Sequence, residues 1–598
     1  MGKLLIILQI MFCGLSTAWA QSSRSIYISP NLKTNAAKYK FNSIQDMKSA
    51  LGERPCLRGG DKVLLQKGYT YRGSLSFVAC RDSGRDKIWI RSYGTGKAPI
   101  INSSDTLASL TSADFEKVSA VNVNGKRTQL NGKDIYRIKL PEVSADMNSV
   151  VNQLVFTGGG KIQQLALARS PNTSSLQRYD GHYEIEEVIN EQRLVAVEDA
   201  FSFVNEFGYS DDIRFIMRQT NYTYNEIPVS NIVNNRVVMM GKKVHDEMGR
   251  QHRGYGFFMS NSIAFLDKPG EWYFDKDTRY LYMIATDRRK PNKNRLEVNF
   301  KLTDAGGVDR TPSNINLSAG SDFHFNVYVN GLELRNSASS GVKFASGLNT
   351  SKNKRLFVNR IYVNRPAEYG VFVHSAQDVS VSNSKFHHVP ANGIHLTRIH
   401  KVARVANNKF WRVGSLQNQT HLVGNFNAIY VARYITAYIV DNQIREVGSN
   451  GITAHTPYKS IVPEVPGGGT LFLSRNTIDT FCLMIHDCVA IALNPGYAQR
   501  DKNLEGSQLV THNRIVNGIG NYNGTRIPSR KVWLAAIRVD HNGENYIVAD
   551  NLIDSITDSA LKGLIIFHGG ITNRASRNYD SQGNLIESVI TPYLKATD

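Results

Sequence analysis

Residues 428–452 read AIYVARYITAYIVDNQIREVGSNGI. A short Ala-Ile start leads into an alternating apolar stretch, then Asn-Gln-Ile, then a Gly-containing turn, and the next Gly-Ile begins the pattern again. The alternation has period 2, the signature of a strand with one buried face. No helical period runs through it.

The same unit recurs across the C-terminal half. Its asparagines are Asn359, Asn383, Asn408, Asn442, Asn476, Asn513, Asn551 and Asn584. The shortest spacing is about 24 residues and loops lengthen the others, as in the coils of a parallel β-helix. Stacked asparagines in successive coils can form an amide ladder inside the solenoid. Two-residue Asn-Gly hairpin turns are scarce, which argues against an antiparallel sandwich for this half. The fold class expected is all-β: a right-handed parallel β-helix with a β-rich inserted domain and an N-terminal capping helix.

Four segments follow. Residues 1–20 carry Lys3, an apolar run from Leu4 to Phe12 and Ala18-Trp19-Ala20, the pattern of a secretory signal. Residues 21–139 hold an amphipathic cap, FNSIQDMKSAL (41–51), and the first coils. Residues 140–300 break the period and include LDKPGEWYFDKDTRYLYMIATD (266–287), a hairpin centred on Lys276-Asp277. Residues 301–598 are solenoid. The apolar run of the signal is too short to span a bilayer, so the expectation is a secreted or periplasmic protein with no membrane anchor.

The 598 residues carry a formal net charge of +20. That favours polyanionic partners, but the charges are spread along the chain rather than gathered in a basic tail, which speaks against nucleic acid. Besides Cys13 in the signal there are Cys56, Cys80, Cys482 and Cys488. An even count in an exported chain suits two disulfides. The pair 482/488 stands open between a bridge and two buried thiols. No CxxC or other metal spacing is present, and no cofactor is expected.

The pieces SIQDMKSAL and GDKVLLQKGYTYRG near the N-terminus, PGEWYFDKDTRYLY, and the late run HDCVAIAL, AAIRVDHNGENYIVADNLI and GLIIFHGG together resemble the right-handed β-helix proteins of carbohydrate metabolism. The resemblance is nearest to bacterial glycoside hydrolases with a β-sandwich insertion, of the β-xylosidase and fucosidase/xylanase type. It implies an exported enzyme acting on a polysaccharide or oligosaccharide. It also implies that Asp487 and Asp540, which match the first acids of two motifs in those relatives, do the chemistry.

Laying the Gly/Ala-Ile strands over one another gives an inward row that is apolar throughout. The outward row holds His395, Tyr430, His455, Asn494 and Asp540, with Arg538 beside the last and His568 just beyond the final strand. In the last coil the count from Gly563 puts Leu564 and Ile566 inward, Ile565 and Phe567 outward. Catalytic candidates are Asp540, Asp487, His455 and Arg538. Substrate-binding candidates are Tyr430 as a stacking platform, His395, Asn494 and His568. Hydrolysis needs two carboxyl groups, yet in-register strands separate Asp487 from Asp540 by seven residues, about 23 Å at 3.3 Å per residue, unless the chain bends at Cys488-Val489. Glu505 and Glu544 are other partners for Asp540. The rival chemistry is β-elimination or epimerisation on an acidic polysaccharide, with Arg538 neutralising a uronate and Tyr430 or His455 as base. A non-catalytic carbohydrate-binding solenoid is the third reading.

Overall fold

The alternation at 429–440 becomes one long strand, Ile429–Val440, bent at Arg433, where φ is 59°. A second left-handed residue, Asp441, turns the chain into the strand Gln443–Val447. Three extended runs per coil therefore come from two single-residue bends. Every pairing between coils is parallel, in one sheet of 22 strands and another of 10. The molecule is a parallel β-helix.

The computed structural model describes the chain from residue 23 to 591 apart from 32–38, 82–83, 124–125, 131–133, 144–145, 159–160, 174–180, 191–192, 197–199, 208–212, 221–222, 235–236, 241–253, 321–322, 347–353, 415–425, 456–468, 486, 495–507, 522–533, 541–544, 557–563 and 569–572. The expected signal segment, Glu505 and Glu544 lie outside the described residues.

The inward row is continuous. Ile394, Ile429, Ile452, Ile491, Ile537 and Ile565 are paired in register and fully buried. Beside it runs the asparagine ladder. The side-chain amide of Asn408 donates to Asn442 Oδ1, Asn442 to Asn476, Asn476 to Asn513, Asn513 to Asn551 and Asn551 to Asn578, all at 2.9–3.1 Å. Each backbone N–H makes a matching bond to the same oxygen. The residue before each ladder asparagine is left-handed, from Asn407 to Arg577. Three expected rungs, Asn359, Asn383 and Asn584, lie off the ladder. The last rung is Asn578 rather than Asn584, which is exposed and bonds Asp580. In the coil before Asn408 the place belongs to Ser384, whose N–H donates to Asn408 Oδ1, while Asn383 bonds Asn359 on the outside.

The helix Ile44–Leu51 caps the N-terminal end. Ser43 Oγ accepts from the Asp46 N–H, Gly52 ends the helix at φ 93°, and Ile44 and Met47 pack into the solenoid core. Both disulfides form, Cys56–Cys80 and Cys482–Cys488.

Strand Ile315–Ala319 pairs with Leu75–Ala79 on one side and Val342–Ser346 on the other. The solenoid thus resumes directly on the coil it left. The strands between 105 and 304 pair among themselves instead, and mostly antiparallel. Strands Glu116–Lys117 and Tyr136–Lys139, expected among the first coils, join this unit through pairing with Tyr280–Met283. Two of its sheets enclose Trp272, Phe274, Leu154 and Phe300. A third, of seven strands, buries Phe215, Met217, Phe257 and Met259 on one face. Its other face turns Ile216, Tyr224 and Phe258 into the solenoid's own core cluster. A buried carboxylate fixes the junction: Glu297 accepts from Asn102, Ser104 and Asn336 and pairs with Arg72, all at 2.8–2.9 Å.

Candidate functional site

Alternation in the strand Ala535–Val539 points Ile537 and Val539 inward, so Arg538 faces out. Asp540 follows on the same side, its N–H bonded to Leu493 O. Arg538 Nη1 donates to Asp487 Oδ1 at 2.7 Å, and its Nε donates to Asp540 Oδ2 at 3.1 Å. One guanidinium bridges both carboxylates. These bonds, with the guanidinium spanning roughly 2.3 Å between its nitrogens, hold the two bonded oxygens within about 8 Å of each other.

The expected 23 Å separation is therefore corrected. The register itself is as expected, with Ile491 opposite Ile537. The chain bends before Val489, and the long Arg538 side chain reaches back along the strand. Residues 482–488 form a pinned corner: the Cys482–Cys488 bridge closes it, Met484 N–H bonds Gly448 O, Asn521 N–H bonds Ile485 O, and Val489 N–H bonds Asn450 Oδ1.

The surroundings are dry. Ala492 and Ile566 flank Arg538 on adjacent coils and are 2% and 1% exposed although they face outward. The side chains of Arg538, Asp487 and Asp540 are 14%, 15% and 18% exposed. Burial alone would push the Arg538 guanidinium down; the charges of Asp540 and Asp487 and their hydrogen bonds outweigh it and raise it above its ordinary value. In low dielectric such a pairing is strong.

The last coil corrects the sequence count by one residue. Ile565 pairs with Ile537 and Phe567 with Val539, so Ile565 and Phe567 point in, Ile566 and His568 out. Gly563 lies outside the described residues; Leu564 O accepts from Ala536 N–H. His568 consequently joins the site column, its Nε2 lying 3.8 Å from Asp540 Oδ1.

The outward column continues away from Asp540 through Asn494 and His455, which are paired in register. Asn494 Oδ1 is a buried acceptor with no donor among the described residues. His455 lies two coils from Asp540, about 10 Å, beyond reach of the acid pair. Tyr430 and His395 lie three and four coils away, about 14 and 19 Å. Tyr430 is not a platform for a sugar face. His395 stacks on one side of its ring (4.7 Å, 13°) and His455 leans on the other (5.2 Å, 48°), while Phe372 covers the far face of His395. The rings present edges outward. Burial, with His374 adding, pushes His395 down to about 4.

One residue escaped the sequence reading. In the strand Arg214–Thr220, Phe215 and Met217 fill the insertion's core, and Ile216 and Arg218 take the opposite parity toward the solenoid. Arg218 is fully buried and within electrostatic reach of Asp487. An arginine alternating with apolar residues was the available signal. Among the described residues no group of three or more His, Cys, Asp or Glu gathers as a metal would require, and no helix is long and apolar enough to cross a membrane.

No protein-family model matches the chain, and no curated protein does. Among solved structures, one described as "Glycoside hydrolase" aligns over 96% of this chain and 98% of its own, with a TM-score of 0.58 at 12% identity. The complex structure of XylC with xylose aligns over 92% of this chain and 70% of its own (TM-score 0.42, 11% identity). The catalytic unit of a GH87 alpha-1,3-glucanase from Streptomyces thermodiastaticus aligns over 82% and 95% (TM-score 0.21, 11% identity). The first defines the class at the level of fold. This chain is a β-helix protein with a β-rich insertion, built over nearly its whole length like that glycoside hydrolase.

Proposed function

We propose that this protein hydrolyses glycosidic bonds in a polysaccharide or oligosaccharide, with Asp487 and Asp540 as the two acting carboxyl groups. The observation that supports it is the single guanidinium of Arg538 bridging both. An upper bound of about 8 Å between their bonded oxygens is compatible with the carboxyl separations of such enzymes, about 5–5.5 Å for retention or about 6.5–9.5 Å for inversion. Asp487 bonds Arg538 and lies within electrostatic reach of Arg218, which suits it to the role that stays anionic. Asp540 neighbours His568, a group that can pass a proton, which suits it to proton transfer. Asn494 Oδ1, a buried acceptor beside them, offers a place for a sugar hydroxyl.

Elimination fits less well. It needs a cation free to neutralise a uronate, and Arg538 is engaged by two aspartates; His455 and Tyr430 lie too far off to act as its base. Two disulfides suit an exported enzyme. The test is a panel of neutral and acidic polysaccharides read for reducing ends and for unsaturated-uronate absorbance. Hydrolysis releases reducing ends without the chromophore, and Asp540→Asn and Asp487→Asn each abolish it. Full turnover in either variant, or a chromophore, refutes the assignment.

A further inference from the structure

We propose that Arg398 and Arg433 form an anion-binding subsite for a carboxylated or sulfated sugar of the bound chain, three to four coils from the acid pair. The inference rests on the glycan reading above and supplies its substrate class.

The two arginines are stacked by register. Thr397 pairs with Ala432 and Ile399 with Tyr434, so Arg398 lies opposite Arg433 on the next coil. Both have left-handed backbones, φ 58° and 59°, at the bend where each long strand leaves the site face. Like charges on neighbouring strands, about 4.8 Å apart, repel each other. Three other corner arginines of this solenoid are neutralised by an acid from a neighbouring coil: Arg475 by Asp441, Arg577 by Asp550 and Arg412 by Glu446, at 2.6–2.9 Å. Arg360 and Arg365, at other left-handed corners, have no acid partner among the described residues, but neither is paired in register with another arginine. Arg398 and Arg433 have no carboxylate partner among the described residues. Both are half-buried, and Arg398 Nε is buried with no acceptor among the described residues.

Their charge is felt on the site face. His374, on the strand beside Arg398, bonds Thr397 Oγ1 at 3.1 Å and is pushed down by burial, then by Arg398 and Arg433. It therefore adds no charge at neutral pH. Two positive charges remain, poised over the edge of a ring-lined face. Arg433 lies about 14 Å and Arg398 about 19 Å along the coils from Asp540. An extended glycan crossing the acid pair reaches that distance within a few sugars. The net charge of +20 attracts the same polymers from solution.

The test measures binding by calorimetry in Asp540→Asn protein, where turnover is blocked, with oligogalacturonate, a sulfated chondroitin oligosaccharide and neutral xylo-oligosaccharide. Arg398→Met/Arg433→Met should weaken one or both acidic probes about tenfold or more, and Arg398→Lys/Arg433→Lys should restore much of the loss. The control is Lys385→Gln/Lys409→Gln, which removes the same charge from two exposed lysines paired in register on another face. It should leave binding unchanged. Equal weakening in both pairs, or no binding of either acidic probe, overturns the subsite. If acidic chains bind through the arginines but no glycan is cleaved, the hydrolytic reading falls and the subsite stands.

Discussion

Replacing Arg538 by methionine removes the cation from between two carboxylates and keeps much of the aliphatic stem that packs between Ala492 and Ile566. Asp487 and Asp540 are then left facing each other in a site only 15% and 18% exposed. Removing one partner of a buried ion pair costs about 3–5 kcal/mol, chiefly through the charge left uncompensated. The residual exposure places Arg538→Met near the lower end, about 3 kcal/mol. The double variant Arg538→Met/Asp540→Asn separates charge from packing. It leaves Asp487 near the buried Arg218 and no longer facing a second carboxylate, so it should be more stable than Arg538→Met alone although it carries a further change. Equilibrium urea unfolding at neutral pH gives both numbers. A single variant within about 0.5 kcal/mol of wild type would mean a solvated surface bridge. A double variant no more stable than the single would mean that packing, not charge, sets the cost. Either result refutes the dry, electrostatically tied site.

Asn476→Ala cuts the ladder on both sides and strands buried groups of Asn442 and Asn513, so it should cost about 2–4 kcal/mol in the same assay, whereas Asn383→Gly, on the outside and at φ 52°, should stay within about 0.5 kcal/mol. Removing Cys56–Cys80, with a sequence separation of 24, should destabilise more than removing Cys482–Cys488, with a separation of 6; loop entropy gives about 3.5 against about 2.4 kcal/mol. Turnover should follow the opposite order, because the smaller loop carries Asp487. His395 lies near 4 when folded and near 6.5 when unfolded. Its contribution is steady above pH ~6.5 and is lost as pH falls toward ~4, by up to about 1 kcal/mol per pH unit. His395→Phe, which keeps the ring stack, should flatten that part of a stability–pH curve; an unchanged slope would show that His395 does not set it.

The coils were legible because burial imposes period 2 on every strand, and because a left-handed residue followed by a ladder asparagine leaves a repeating mark in the chain. The reading slipped where the mark was faint. The last coil has no Gly-Ile start, so counting from Gly563 shifted Ile565 to Phe567 by one and exchanged the two faces. The asparagine of GNLI looked like a rung, but the rung is Asn578, in the RNYD that precedes it. Reading Tyr430 as a platform failed for a geometric reason. Rings in one column lie closer to each other than to any ligand, and they stack along the axis. The closeness of Asp487 to Asp540 could not be counted out, because it depends on a bend and on the reach of an arginine side chain rather than on residues along a strand.

A bare solenoid face is an open, flat sheet, and a guanidinium between two aspartates on such a face would be worth little in water. What makes this one different comes largely from elsewhere in the chain. Residues 105–304 leave the solenoid after one coil and return to the next, so their length is free of the coil period. They use that freedom to lay Ile216, Tyr224 and Phe258 against the solenoid and to bring Arg218 within electrostatic reach of Asp487, about 270 residues away in sequence. The Glu297 network holds this arm at the coils where it departs and returns. The repeat supplies Arg538, Asp540 and His568 at fixed spacing, and a disulfide-closed corner supplies Asp487. The insertion adds to the charge around Asp487 through an electrostatic interaction that no periodicity in the repeat could encode. On this view the β-helix sets where the groups stand, and the inserted domain sets how strongly they act on one another.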